Sequence, residues 1–185
     1  MSTAKEQLRR AARRERDEIS GPAAAAAAEA AARHLLALPP VRTAATVALY
    51  SPVRGELDPG PAGRELAARG VRVVYPRTVD GDRLLTFHEA DDLLAGAFGI
   101  LEPHAAAPLV PLDRIDLFVV PGLAFDRTGA RLGWGLGFYD RTLAHTAAVR
   151  IGYCYACQVV PAVPHEPYDL PMDHLVTEDG ALSAT

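Results

Sequence analysis

The sequence predicts an α/β fold: a mostly parallel sheet flanked by helices in a Rossmann-like three-layer arrangement, formed by one domain over residues 1–185. Three observations carry that prediction. Short apolar runs rich in β-branched and aromatic residues recur along the chain. Helical patterns stand between several of them, as a parallel sheet covered on both faces requires. Apolar residues make up 49% of the chain against 23% charged, which supplies a sizeable core and excludes wholesale disorder. No shift in composition divides a chain of this length.

The elements follow in order. Within residues 3–19, Leu8, Ala11, Ala12, Glu15 and Ile19 recur at helical spacing, with Arg9, Arg10, Arg13, Arg14 and Arg16 around them. This is an amphipathic first helix whose arginines read as a solvated basic face. Ser20-Gly21-Pro22 supplies a cap and an N1 proline, and the alanine-rich segment 23–38 forms a second helix that ends at Pro39-Pro40. Six strands are predicted at residues 45–50, 71–75, 84–88, 116–120, 150–157 and 174–177, with helices at 60–69 and 138–145. The stretch from Asp91 to Arg114, rich in Pro, Gly and Ala, predicts loops and turns of the kind that often line a site.

Charge and composition exclude several functions. A formal net charge of −4 argues against a nucleic-acid partner, whose backbone is bound by many clustered cations. An arginine-rich first helix acting as a basic stripe is the reading from another class, and its interleaved acids weigh against it. No apolar run reaches the length of a membrane span, and Lys5, Glu6, Arg9 and Arg10 stand where a signal peptide needs an apolar core. The expectation is a cytoplasmic monomer without a membrane partner. Cys154 and Cys157 form a C-x-x-C pair inside a predicted strand. Without a helix N-terminus or two further ligands, they read as buried core thiols. The six histidines show no metal-ligand spacing.

The segment that carries chemistry runs from Val119 to Arg141. A predicted strand leads into Pro121-Gly122-Leu123-Ala124-Phe125-Asp126. After a spacer come Arg131-Leu132-Gly133-Trp134-Gly135-Leu136-Gly137-Phe138-Tyr139-Asp140-Arg141. Glycines let backbone amides approach a phosphate, a following helix adds partial positive charge, and Arg131 offers a forked cation. No G-K-[ST] follows, and the third glycine comes one residue early for G-x-G-x-x-G. On chemistry alone, phosphate binding and a plain strand-to-helix turn both stay open.

The pattern R-L-G-x-G-x-G-[FY]-Y-D after P-G-L-A-F-D resembles the signature of the 5-formyltetrahydrofolate cyclo-ligase family. Further family-like features lie in order: Lys5 with Leu8-Arg9, Tyr50-Ser51, Gly55-Glu56-Leu57-Asp58, Tyr75-Pro76, Leu85-Thr86-Phe87 and Gly99-Ile100-Leu101-Glu102-Pro103. Ile115-Asp116 precedes the signature, and Ile151-Gly152, Gln158-Val159-Val160, Asp169 and Val176-Thr177-Glu178 follow it, so the resemblance spans residues 5–178.

The resemblance implies an enzyme that uses ATP as co-substrate and Mg2+ to convert 5-formyltetrahydrofolate into 5,10-methenyltetrahydrofolate, releasing ADP and phosphate. Lys5 and Arg9 would reach the ATP phosphates, although the bland reading is a solvated face. Arg131, Leu132, Gly133, Trp134, Gly135, Leu136, Gly137, Phe138 and Tyr139 would form the nucleotide loop, with Arg131 and Tyr139 also catalytic. Glu56 would act near the formyl group and N10, where its bland reading is a loop carboxylate beside Arg54. Tyr50, Phe87, Glu102, Phe125 and Phe138 would complete the folate wall, the phenylalanines being equally plain as core. Asp140 and Asp169 would hold magnesium, although an acid in the first turn of a helix is common.

Three positions depart from the family pattern: Leu136 where glycine or lysine is usual, Trp134 where Arg, Tyr or His is expected, and Pro59 where Thr is expected. They keep one alternative in view, a diverged paralogue that binds folate or nucleotide without cyclo-ligase activity.

Overall fold

The structure, a computed structural model, describes residues 3–79, 83–90, 92–96, 99–166 and 169–184. Its helices are α1 (Thr3–Asp17), α2 (Gly21–Ala37), α3 (Pro39–Thr43), α4 (Gly60–Ala68) and α5 (Phe138–Leu143). In the first half of the chain the strands are β1 (Thr46–Ala48), β2 (Arg72–Thr78), β3 (Leu85–Glu89), β4 (Leu93–Ala95), β5 (Leu101–Pro103) and β6 (Leu109–Val110). The second half adds β7 (Leu117–Val120), β8 (Ala124–Phe125), β9 (Arg131–Leu132), β10 (Val149–Tyr153), β11 (His174–Thr177) and β12 (Gly180–Ser183).

Eight strands form the main sheet in the order β12-β11-β10-β7-β1-β2-β3-β6. The five from β11 to β2 are mutually parallel, and β12, β3 and β6 join antiparallel at the two sides. Among the parallel strands the chain starts in the interior with β1, steps outward to β2, then returns to β7 on the other side of β1. This is the doubly wound order 2-1-3-4-5, and its reversal point lies between β1 and β7.

Both faces of the sheet are covered, which is why its strands read as continuous apolar runs. The alternation is visible residue by residue. Val47, Leu117, Val119 and Ile151 pack with Ala31, Leu35, Ala62 and Leu66 of α2 and α4, whereas Ala48, Phe118 and Val120 pack with Phe87, Phe125 and Leu143 on the opposite side. A third cluster joins Ala12 of α1 to Leu123, Ala124, Ala130, Leu132 and Val163.

Several details differ from the sequence reading. Pro39-Pro40 ends α2 and also opens α3. Leu38, preceding proline, is extended (φ −62, ψ 133), and Pro39 then takes the first position of the new helix. The strand expected over 150–157 stops at Tyr153. The chain then tightens into a 3-10 turn at Ala156–Gln158, where the Tyr155 N–H donates to Gln158 Oε1 (3.0 Å). Cys154 is buried and Cys157 half-buried, and both are free thiols whose pKa burial raises, which disfavours the reactive thiolate. The stretch expected as loops contains β4, β5 and β6, strands too short to show a period of two, while its first residue, Asp91, lies outside the described residues. Helix α1 buries Arg9 and Arg16 beside Ala12 and leaves Glu15 exposed, so the arginines are not uniformly a solvated face. Among the described residues no helix is long and apolar enough to cross a membrane.

Candidate active site

The chain leaving β1 builds the first wall. Tyr50 is buried, and its hydroxyl donates to the Leu57 carbonyl, folding residues 50–57 back on themselves. At the tip Arg54 and Gly55 both take left-handed backbone angles (φ 49 and 77). That conformation disfavours an arginine, and the Arg54 carbonyl is held by Arg16 Nη2 at 2.7 Å. The turn delivers Glu56 inward, where it is 7% exposed. Its Oε2 accepts the Val53 N–H (3.1 Å) and its Oε1 accepts the Trp134 Nε1–H (2.9 Å). Burial pushes the Glu56 carboxyl above its ordinary pKa. The Trp134 and Val53 donors and the Arg16 and Arg54 cations pull the other way.

The chain leaving β7 builds the second wall. Gln158 Nε2 donates to the carbonyls of Gly122 and Leu123 (2.9 and 3.0 Å), pinning the exit from the strand. The β8–β9 hairpin turns around Asp126, whose carboxylate accepts hydrogen bonds from Thr128 Oγ1 and from the backbone N–H of Thr128, Ala130 and Val163. Burial raises its pKa, but those donors outweigh it and hold the group below the usual range. Strand β9 then presents Arg131. Its Nη2 meets Asp140 Oδ1 at 2.6 Å, its Nη1 meets the Pro121 carbonyl at 3.3 Å, and its Cζ lies 5.7 Å from the Tyr139 ring centre. A Cβ on Gly133 would stand 2.9 Å from Arg131 Nη1, so this glycine makes room for the guanidinium. Gly135 and Gly137 take left-handed angles (φ 98 and 76) as the loop turns into α5.

Helix α1 closes the arrangement. Arg9 Nε donates to the Gly133 carbonyl (3.0 Å), while its buried Nη1 finds no partner among the described residues. Desolvation, then the neighbouring Arg13, lowers the Arg9 pKa. Lys5 Nζ lies 3.2 Å from Asp169 Oδ2 and 3.8 Å from Glu166.

These pieces surround a cavity of about 550 Å3 at the carboxyl ends of β1 and β7, the reversal point of the sheet. Its wall brings together Lys5, Arg9, Tyr50, Glu56, Glu102, Asp169 and the whole stretch 131–140, Trp134, Leu136, Phe138, Tyr139 and Asp140 included. Glu102 is buried and accepts the Thr78 hydroxyl at 2.7 Å. The buried Tyr139 hydroxyl has no hydrogen-bond partner among the described residues, and burial holds it firmly protonated.

Phe87 and Phe125 are placed elsewhere. Phe87 is 1% exposed and meets Phe118 edge to face, with ring centres 5.1 Å apart. Phe125 is fully buried in the slot left by two glycines: a Cβ on Gly122 or on Gly152 would stand 2.6 Å from its ring. Both rings are core and show no surface to the cavity, which corrects their assignment to the folate wall. Sequence reasoning also missed wall residues. Ser51, Arg54 and Thr78 line the cavity. Ser51 directly follows the apolar run of β1, at the end of the strand where a doubly wound sheet binds its ligand, and that was the available signal.

Arg9 Nη1 and Tyr139 OH are buried polar groups in want of acceptors or donors, which a phosphorylated ligand supplies. Among the described residues no cluster of three or more His, Cys, Asp or Glu side chains could hold a metal ion. Asp140 and Asp169 are each paired with a cation. A magnesium ion at these carboxylates would therefore have to be carried mainly by phosphates and waters.

The model of the family described as 5-formyltetrahydrofolate cyclo-ligase matches residues 1–178. The chain belongs to that family. By that membership it is an enzyme, a ligase of folate metabolism. It is similar to the 5-formyltetrahydrofolate cyclo-ligase of Escherichia coli strain K12, 37% identical over 155 residues, covering 80% of this chain and 85% of that one. The Haemophilus influenzae protein of the same name is 32% identical over 148 residues, 76% of this chain and 79% of its own. Among solved structures, Aquifex aeolicus 5,10-methenyltetrahydrofolate synthetase superposes with a TM-score of 0.85 at 32% identity, covering 97% of this chain and 92% of that one. A Mycoplasma pneumoniae 5,10-methenyltetrahydrofolate synthetase shares the fold, with a TM-score of 0.78 at 24% identity over 94% of this chain and 98% of its own. The glycine-rich loop, Lys5, Arg9 and Glu56 of this cyclo-ligase family member thus lie where its sheet reverses.

Proposed function

We propose that this protein converts 5-formyltetrahydrofolate into 5,10-methenyltetrahydrofolate, using ATP as co-substrate with magnesium. The observation that carries the reading is one cavity whose wall holds both a basic, glycine-rich segment and a buried carboxylate, Glu56. Polyanion and heterocycle can therefore meet within reach of one another.

The chemistry needs that meeting. An amide oxygen is a poor leaving group. In the proposed sequence the formyl oxygen attacks the γ-phosphorus of ATP and ADP departs. N10 then adds to the activated formyl carbon and loses its proton, and phosphate leaves with the former formyl oxygen as the ring closes. Lys5, Arg9 and Arg131 hold the phosphates and offset the charge that develops on them. Asp140 and Asp169 would hold a magnesium ion, which would supply further neutralisation of the phosphate oxygens. Glu56 orients N10 and accepts its proton. Tyr139, held neutral by burial, offers a hydroxyl to a phosphate or formyl oxygen. Most of the rate enhancement then comes from positioning two reactants in one site.

The test is spectral, because the methenyl product absorbs where the substrate does not. Product forms only when ATP and a divalent cation are both present. An equal rate without nucleotide removes the phosphorylation step from the proposal.

A further inference from the structure

Trp134 is the single tryptophan of the chain, and it joins two walls of the cavity. Its backbone belongs to the glycine-rich loop. Its indole Nε1–H, however, donates to Glu56 Oε1 at 2.9 Å, across 78 residues of sequence. The ring is enclosed by three guanidinium groups: the Cζ atoms of Arg13, Arg54 and Arg16 lie 4.7, 5.2 and 5.3 Å from its centre. Arg16 is 1% exposed, and its Nε and Nη1 find no hydrogen-bond partner among the described residues, nor does Arg13 Nε. A guanidinium with N–H groups left unpaired is stabilised by the π density of a ring it faces, more strongly where water is excluded. An indole held from several directions has little freedom to change rotamer.

We propose that Trp134 is a positioning residue for Glu56: the arginine cage fixes the indole, and the indole N–H fixes the orientation of the carboxylate in the cavity. This rests on the folate reading above. With Oε1 held by Trp134 and Oε2 by the Val53 N–H, both carboxylate oxygens are anchored. Neither anchor belongs to the ligand, so Glu56 stands oriented before substrate arrives. The Trp134 bond is a charge-assisted one, of the stronger kind.

The groups around Glu56 set the sign of the pH effect. Arg54 faces it from its own turn and Arg16 from α1, and both favour the ionised acid; Arg13 lies behind the indole. Tyr50 from the β1 end and Tyr139 from α5 complete the surroundings, both kept neutral by burial. Removing the indole donor takes away a stabiliser of the charged form and moves the Glu56 titration to higher pH.

The experiment compares Trp134→Phe with the parent enzyme. Phenylalanine keeps a ring within the cage and deletes the N–H. Expected are a roughly tenfold lower kcat/KM for 5-formyltetrahydrofolate, a KM for MgATP unchanged within about twofold, and an acidic limb of the pH profile displaced upward. An unchanged folate kcat/KM and acidic limb, or a loss carried wholly by the KM for MgATP, overturns the proposal. A second measurement needs no substrate. The fluorescence of Trp134 is expected to follow the ionisation of Glu56 in the ligand-free parent, and Glu56→Gln is expected to abolish that transition. If the parent forms no methenyl product, the folate reading fails, and this titration still decides the pairing. Identical titration curves in the parent and Glu56→Gln reject it.

Discussion

Arg131 and Asp140, nine residues apart, face each other in the cavity wall with Nη2 and Oδ1 at 2.6 Å. The pair ties the end of β9 to the first turn of α5, so the glycine-rich loop is closed at its base by a charged contact. Arg131 thereby presents a guanidinium already oriented toward the loop.

Arg131→Ala and Arg131→Lys are both expected to weaken ATP use, the lysine variant included. A planar fork holds Asp140 and still offers an N–H to phosphate, while an ammonium meets both as a point charge. Losing a charged phosphate contact costs about 1.5 to 3 kcal/mol, which is roughly tenfold or more in affinity. Steady-state titration with MgATP checks this, and a fully active lysine variant contradicts it.

Asp140→Asn is expected to lower the apparent affinity for magnesium. Asparagine keeps an oxygen for Arg131, so the expected stability loss is on the order of 1 kcal/mol. The check is activity against magnesium concentration at fixed ATP, beside a thermal melt. A variant with the parent's magnesium dependence reduces Asp140 to the partner of Arg131.

Leu136→Gly is expected to change ATP affinity little. The Leu136 side chain is 47% exposed at the cavity mouth, so the loop already accommodates it. Added backbone freedom lowers stability by about 1 kcal/mol or less. A tenfold tighter MgATP titration for the glycine variant would show that the leucine obstructs the phosphates, and would favour a diverged paralogue.

Asp126→Asn is expected to destabilise the fold without altering the cavity wall, by about 2 to 3 kcal/mol for the weakened bonds to a buried carboxylate. Its pKa is held below the unfolded value. The stabilisation is therefore complete above the unfolded carboxyl range and is lost as pH falls through the folded pKa. Melting temperatures from neutral to acid pH should fall more steeply for the parent than for the asparagine variant. Parallel curves would remove Asp126 from the acid response.

Six strands (β1, β2, β3, β7, β10 and β11), and the helices at 60–69 and 138–145, were legible in the sequence, because burial on two faces and helical spacing leave a local trace. Strands β4, β5, β6 and β12 were not, since they are short and partly or largely exposed, and the two-residue β8 and β9 carry no period. In the cavity, Lys5, Arg9, Glu56 and the loop 131–140 could be found by motif. What could not be read was which aromatic rings line the cavity. Phe125 resembles a wall residue in sequence. Only the missing Cβ atoms at Gly122 and Gly152, 30 residues apart in the chain, show that its ring is sunk in the core. The arginines of α1 failed differently: Arg16 is buried by an indole 118 residues further on, a contact with no local signal.

Helix α1 rests on Leu123, Ala124, Ala130, Leu132 and Val163, and its Lys5 and Arg9 bond to Asp169 and Gly133. During synthesis α1 therefore leaves the ribosome well before the surface on which it docks. At roughly 5 to 20 residues per second, it waits on the order of ten seconds for that surface. Through this interval the helix is an unattached cationic segment, and a nascent chain halted before residue 123 has much of its sheet but lacks the glycine-rich wall of the cavity. Closure of the cavity by α1 thus waits on residues 123–169, which supply the surface and the bonding partners of the helix.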